Sequence, residues 1–269
     1  MTAFDAATAV APAGPGRWTA RVDPGWFAPA GPNGGYLASI VLRAMLAASG
    51  DPARHPRSLT LHYLRAPAAG PVELSVTTER AGRSLSTLSA RMEQGGRACV
   101  LAIGALAAAF PSVADYTAQM PPAPPPEAIS PVPPMPGMPP VFARLETRPA
   151  IGPVPFSGAG EARSGGWLRL SEPRPADALA VATYVDGWWP APFTRLTAPI
   201  AAPTVDLTIH FRRALPLAGA DPAAPLLGLF TSRHSAEGFF EEDGELWSGQ
   251  GELLAQSRQL ALLRPGPDG

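Results

Sequence analysis

The heptapeptide Leu59-Thr-Leu-His-Tyr-Leu-Arg65 returns in the second half of the chain as Leu207-Thr-Ile-His-Phe-Arg-Arg213. Self-similarity at a long offset marks one supersecondary unit used twice. Such a chain must give both copies equivalent surroundings, and a duplicated fold is free to keep chemistry in one copy and drop it in the other. At 269 residues, 46% of them hydrophobic, there is enough chain and apolar content for one large domain or two of ordinary size.

The patterns around the two copies follow the same order. In the first half a strand is expected near Trp18–Val22. A helix follows from Asn33-Gly-Gly-Tyr36 to Ala48, apolar almost all round and therefore buried on most faces, and Ser49-Gly50-Asp51-Pro52 stops it. Strands are expected at 58–65, 72–80, 84–93 and 97–109, separated by turn compositions such as Gln94-Gly95-Gly96. In the second half a strand at Gly166–Leu170 precedes a helix expected from Pro175 to about Trp189. Strands follow at 203–213, 226–234, 237–247 and 251–263. One helix and a run of antiparallel hairpins is an α+β pattern rather than a βαβ one. Two such sheets joined edge to edge would also remove two exposed strand edges. Between the halves, Pro121-Pro-Ala-Pro-Pro-Pro126 and the proline-rich 131–140 run cannot sustain helix or ladder hydrogen bonds. The expected organisation is a first unit over 1–110, a stiff, extended linker over 111–153, and a second unit over 154–269.

Charge and cysteine content remove several function classes. Charged residues make up 16% of the chain, the formal net charge is −1, and the 21 basic residues are scattered. Nucleic acid is therefore not expected as a partner, because such a surface needs concentrated positive charge. No apolar run is long enough to expect a membrane span. The N-terminus does not read as a signal peptide, and the single Cys99 has no internal disulfide partner, so a cytoplasmic location is expected. No Gly-x-Ser-x-Gly elbow is present, and His55, His62, His210 and His234 show no metal-ligand spacing.

In the order and spacing of its segments the chain resembles the double-hotdog acyl-CoA thioesterases of the thioesterase II type. The resemblance rests on Asn33-Gly-Gly-Tyr36, Leu59–Arg65, the Arg80–Arg91 strand, turn and Ser-rich strand, Thr204–Arg212, Gly244-Glu-Leu246 and Leu254–Gln259. It implies a double hotdog, with two helix-wrapping antiparallel sheets joined into one continuous sheet. It also implies hydrolysis of an acyl-CoA or acyl-carrier thioester without metal or organic cofactor. Three residues match the family's hydrolytic set: Asp186 as general base, with Thr204 opening a long strand and Gln259 near the end of the last strand both expected to hold the attacking water. The first-half counterparts, expected near Gly34–Gly35, Ser58 and Gly104–Ala105, lack all three residue types. One active centre per chain, built mainly by the second half, is therefore implied.

The residues themselves leave plainer readings open. Asp186 in the apolar run Ala178–Trp189 is costly if buried without a partner, or else faces water at the helix end. Thr204 is also an ordinary strand former and Gln259 an ordinary solvent-facing strand residue. Asn33, Gly34, Gly35 and Tyr36 offer free backbone N–H groups and a positive helix end, suited to an oxyanion, or simply permit close packing. Asp206, two residues beyond Thr204, is expected on the same face; with His210 it suggests a hydratase pair, but four strand residues span about 13 Å, too far for one relay. The acidic run Phe240–Glu245 reads most plainly as a turn between strands. A double-hotdog acyl-binding or scaffold protein without turnover is the main alternative. Acyl type and self-association are not legible.

Overall fold

The computed structural model describes residues 1–264. Helix α1 (Ala3–Ala7) and strands β1 (Val10–Pro12) and β2 (Arg17–Val22) lead to α2 (Gly34–Ser49). Then come β3 (His55–Tyr63), β4 (Gly70–Ala81), β5 (Leu85–Gln94) and β6 (Arg97–Ala107). The second half runs β7 (Leu145–Ile151), β8 (Ala162–Leu170), α3 (Ala178–Tyr184), β9 (Thr204–Phe211), β10 (Leu226–Ser232), β11 (Phe239–Trp247) and β12 (Leu253–Leu262). Together with the two-residue strand Ser235–Ala236 beside β11, these strands form one 13-stranded antiparallel sheet in the order β1-β2-β4-β5-β6-β3-β9-β12-β11-β10-β8-β7. Read outward from the β3–β9 seam, the two halves have the same order. This is the expected double hotdog.

The repeated heptapeptides are the seam. Leu207 pairs with Leu61, Thr208 with Thr60 and Ile209 with Leu59. Thr60 and Thr208 hold the same place in the two repeats, so a local two-fold passes between them, and their hydroxyls lie 3.1 Å apart. Leu59, Leu61, Leu207 and Ile209 are fully buried on the inner face, while His62 and His210 point to the exposed outer face. Each half also carries a bulge at the same place in its seam strand, between Pro56 and Ser58 in one and between Thr204 and Asp206 in the other.

The helices lie on the inner face. Asn33 caps α2 by accepting the Tyr36 N–H through Oδ1 at 2.9 Å, and Gly50 ends it in the left-handed conformation with φ 62°. Asp177 caps α3 by accepting the Leu179 and Ala180 N–H groups. The two helices run antiparallel in contact. Ser39 Oγ lies within hydrogen-bond distance of the Leu179 carbonyl and of Thr183 Oγ1, at 2.7 and 2.8 Å. At the end where α3 begins, Arg174 bridges Asp5 of α1 and Asp177. At the other end the N-terminus of α2 meets the C-terminus of α3.

Three expectations need correction. Helix α3 ends at Tyr184 rather than near Trp189, because tight turns take over: the Asp186 and Gly187 N–H groups bond to Thr183 and Tyr184, three residues back. The 111–153 segment is not a free connector. It contains edge strand β7, and its proline run is docked on the sheet. Trp167 Nε1 donates to the Pro124 carbonyl and Arg148 to those of Pro126 and Ile129. Met120, Ala123 and Ile129 cover Ile151, Trp167, Leu227 and Trp247. Finally, the acidic run of residues 240–245 lies within strand β11, not in a turn.

Gly35 is required by the helix–helix contact: a Cβ there would stand 2.6 Å from the Ala182 carbonyl oxygen and 2.8 Å from that of Thr183. We expect Gly35→Ala to lower stability by about 1–3 kcal/mol through overpacking. Gly249→Ala, where an added Cβ meets nothing within 4 Å, should stay within about 0.5 kcal/mol of wild type. Urea midpoints of the two variants compare them directly.

Candidate functional site

Where the α2 N-terminus meets the end of α3, a cavity of about 470 Å³ opens between the halves. Asp186 and Thr204 both line it, together with Tyr63 from the first-half seam strand and Trp188 and Trp189 from the turn after α3. The two indoles pack against each other with ring centroids 4.4 Å apart, which gives the cavity a rigid apolar wall.

Asp186 is partly buried and held from the other half. Its Oδ2 accepts from Asn33 Nδ2 at 2.8 Å and from the Gly35 N–H at 3.0 Å. Asn33 Nδ2 also reaches the Asp186 carbonyl oxygen at 2.7 Å. Burial raises its pKa from 3.8 to about 6, although the Gly35 and Gly34 amides and Asn33 pull the other way. Tyr63 Oη donates to the Gly34 carbonyl at 2.8 Å, and burial plus the Asp186 charge push its pKa well up, so it stays a neutral donor. Its repeat counterpart is Phe211, so the hydroxyl is present only on the side of the seam that faces the cavity.

Thr204 and Gln259 are also brought together. Thr204 Oγ1 donates to Gln259 Oε1 at 2.9 Å, and Gln259 stands behind Thr204, buried. The bulge explains the contact. It pairs Thr204 with Ala261 and Leu207 with Gln259, placing the threonine on the inner face. Asp206 therefore does not share a face with Thr204. It lies on the outer face, paired across the seam with His62, and His210, four residues further along that face and so about 13 Å away, is too distant for a hydratase pair.

Asn33, Gly34, Gly35 and Tyr36 do not converge on the cavity as a donor set. Asn33 Nδ2 and the Gly35 N–H are engaged by Asp186, and the Tyr36 N–H by Asn33 Oδ1. The Tyr36 ring lies in the first-half core, stacked on Trp26, with its hydroxyl donating to the Ala7 carbonyl. Gly34 and Gly35, expected to be the first-half counterparts of Asp186, instead touch it. The local two-fold gives Thr204 the counterpart Pro56 rather than Ser58, while Gln259 answers to Gly104 as expected.

A further residue was missed. Glu242 on β11 lies directly across from Gln259 on β12. It is 4% exposed, its Oε1 accepts from Gln259 Nε2 at 2.8 Å, and its Oε2 accepts the Ala191 N–H. Burial raises its pKa from 4.5 to about 7, helped by the charges of Asp186 and Glu241. The signal was present in the alternation: from 240 to 246 every second residue of β11 (Phe240, Glu242, Gly244 and Leu246) is buried, so one acid of the run belonged to the inner face. Among the described residues no group of three or more His, Cys, Asp or Glu is placed to hold a metal ion, and no helix is long and apolar enough to cross a membrane.

The acyl-CoA thioesterase N-terminal domain model matches residues 22–107, and the C-terminal domain model of the same family matches 117–263. The chain belongs to the acyl-CoA thioesterase family. A hot dog fold protein of unknown function from Alicyclobacillus acidocaldarius is 28% identical with a TM-score of 0.87, covering 98% of both chains. A protein provisionally assigned as a thioesterase II from Thermobifida fusca is 30% identical over 98% of both chains, with a TM-score of 0.82. The acyl-CoA thioesterase II TesB2 of Mycobacterium marinum is 20% identical over 99% of this chain and all of its own, with a TM-score of 0.79, and at that identity it speaks for the fold. No curated protein sequence matches this thioesterase-family chain.

A raised carboxyl pKa in the folded state means that ionising the group opposes folding. The contribution of Asp186 to stability is full below pH about 4, where both states are protonated, and is lost as pH rises through about 6. We expect Asp186→Asn, which keeps an oxygen for Asn33 and Gly35, to be more stable than wild type by on the order of 2 kcal/mol above pH 6. The gap should close toward pH 4, as read from denaturation midpoints across pH.

Proposed function

We propose that this chain hydrolyses acyl-CoA thioesters to free acid and CoA through a water molecule activated at Asp186. The observation that carries the reading is a partly buried carboxylate with a pKa of about 6 at the wall of an apolar cavity that also holds the Thr204 hydroxyl. A base with a pKa near 6 is ionised at neutral pH yet still accepts a proton in the transition state.

In this mechanism the water lies between Asp186 and Thr204, and its oxygen attacks the thioester carbon as a proton passes to Asp186. The tetrahedral intermediate collapses by breaking the C–S bond, and the departing thiolate takes the proton from Asp186. Gln259 does not hold this water itself, because its Nε2 is engaged by Glu242 and its Oε1 by Thr204; it acts from behind Thr204. The positive end of α2 chiefly holds the base. Its field also favours negative charge on a carbonyl oxygen placed beside Gly34. The acyl chain lies along the Trp188–Trp189 wall. A thioester carbonyl is electrophilic enough that neither metal nor organic cofactor is required. The acyl-binding reading without turnover would leave a carboxylate at a desolvation cost that binding an apolar chain does not need.

Free-thiol release from a panel of short, medium, long and aromatic acyl-CoAs tests the reading. At least one substrate should turn over, with Asp186→Asn lowering kcat by about 10²–10⁴-fold while the fold is retained. For wild type, kcat/KM should fall with pH below 6 toward a limit of about tenfold per pH unit, as Asp186 takes up its proton. Unchanged turnover in Asp186→Asn would remove Asp186 as the base.

A further inference from the structure

Glu242 is the one buried carboxylate at this site whose place the reaction above does not explain. Its counterpart across the local two-fold is found through the sheet: Glu242 pairs with Gln259 as Leu88 pairs with Gly104. Leu88 is fully buried. The same position in the same fold is therefore filled by an aliphatic side chain in one half and by an acid in the other. Burying an acid there is costly; its Oε2 meets the Ala191 N–H of the 185–203 connector, a segment much longer than the 50–54 connector of the first half, and that contact leaves Oε1 to face Gln259.

Its hydrogen bonds have a direction. Above its pKa of about 7 Glu242 is ionised, and an ionised carboxylate only accepts. Glu242 Oε2 is fixed by the Ala191 N–H, so Oε1 faces Gln259 and admits only its amide NH2. That turns the Gln259 carbonyl oxygen toward Thr204, whose hydroxyl must donate to it. With its hydrogen committed inward, Thr204 Oγ1 presents only lone pairs to the cavity. A water between Asp186 and Thr204 then donates one hydrogen to each. Both its O–H bonds are engaged, and its own lone pairs are directed away from the two acceptors, toward the substrate.

We propose that Glu242 is the positioning residue of the site, setting the polarity of the Glu242–Gln259–Thr204 chain so that Thr204 accepts from the attacking water. The proposal rests on the hydrolytic reading above. Glu242 touches neither substrate nor water; it acts through Gln259 and Thr204.

Replacing Glu242 with Gln changes one atom and reverses the chain. The Ala191 N–H claims the new amide oxygen, so the new NH2 faces Gln259. Gln259 turns over to offer its oxygen, and its own NH2 then donates to Thr204. Thr204 points its hydrogen into the cavity and competes with the water instead of holding it. The double exchange Glu242→Gln with Gln259→Glu restores the original direction: the carboxylate at 259 accepts from both the NH2 at 242 and the Thr204 hydroxyl.

The test is steady-state thiol release at pH 8 with the best acyl-CoA of the panel, using wild type, D186N, E242Q, T204V, E242Q/T204V and E242Q/Q259E, each checked by thermal melting. The expected result is a 10- to 100-fold fall in kcat for E242Q, with KM within about twofold and a melting temperature no lower than wild type, following the general scale for lost transition-state contacts. The exchange variant should recover kcat to within several-fold of wild type. E242Q should cost nothing further in the T204V background, because its effect passes through that hydroxyl. A merely structural Glu242 would give multiplicative effects with T204V and no recovery on exchange, and either result overturns the proposal. E242Q with wild-type kcat beside an inactive D186N would sink the Glu242 assignment alone. A wild type inactive toward every acyl-CoA would sink the hydrolytic reading and this inference with it.

Discussion

The antiparallel pairing of β3 with β9 is the interaction on which the rest of the molecule depends. It aligns two copies of one heptapeptide across a local two-fold at Thr60 and Thr208. That pairing turns the two halves, each with six main strands, into one sheet and leaves no open edge at the middle. It also fixes where the helices lie. Because α2 and α3 are antiparallel on the inner face, each helix end of one half meets the opposite end of the other. One junction is closed by the Arg174 ion pairs to Asp5 and Asp177. The other opens as the cavity that holds Asp186.

The electrostatics of that open junction follow from what meets there. The first turn of α2 has unpaired N–H groups and a positive field, and the turn after α3 supplies a carboxylate. Gly35 permits the approach, since no side chain fits between it and the Ala182 and Thr183 carbonyls. The same hydrogen bonds that make burial of Asp186 tolerable limit how far its pKa climbs. Desolvation alone would carry it further, and the amides and Asn33 hold it near 6. A second carboxyl, Glu242, sits close enough for the Asp186 charge to raise its pKa as well. Two acids whose charged forms disfavour each other mark this corner as the most expensive part of the fold to keep ionised.

Much of the fold was legible because it is written in periodicity and repetition. The duplicated heptapeptide, the apolar helix after Asn33 and the alternating strands all constrain local structure directly. The long proline run was harder, because composition forbids ladders without saying what the chain rests on; Arg148 of β7 and Trp167 of β8 supply the anchors. Asp186, Thr204 and Gln259 were selected by a family pattern, and neither the Thr204–Gln259 hydrogen bond nor the Asn33 and Gly35 contacts of Asp186 could be read from spacing. The Thr204 face depended on a bulge, which shifts side-chain parity without any mark in the residues themselves. The Asn33–Tyr36 turn shows the reverse difficulty: free amides were visible in the sequence, but not the carboxylate that takes them.

The local two-fold turns a single chain into its own control. Positions related by it share backbone geometry and bury their side chains on the same inner face, so a difference between them cannot be put down to the fold. Thr204, Gln259 and Glu242 correspond to Pro56, Gly104 and Leu88, and Tyr63 to Phe211. At every one of these pairs, the polar group lies on the side that faces the Asp186 cavity and the counterpart is apolar or lacks a side chain. Glu242 also satisfies the Ala191 N–H of a connector without a first-half equivalent, but the side-chain bonds of Thr204 and Gln259 run only to each other and to Glu242, so these polar groups do more than satisfy backbone. Their confinement to one side means that they are organised around the cavity, with Tyr63 arriving from the first half and the other three from the second. A hydroxyl, an amide and an acid are thus linked in one hydrogen-bonded series that starts at the Ala191 N–H and ends at Thr204 on the cavity wall, and the proposed direction of that last hydroxyl follows from where the series begins.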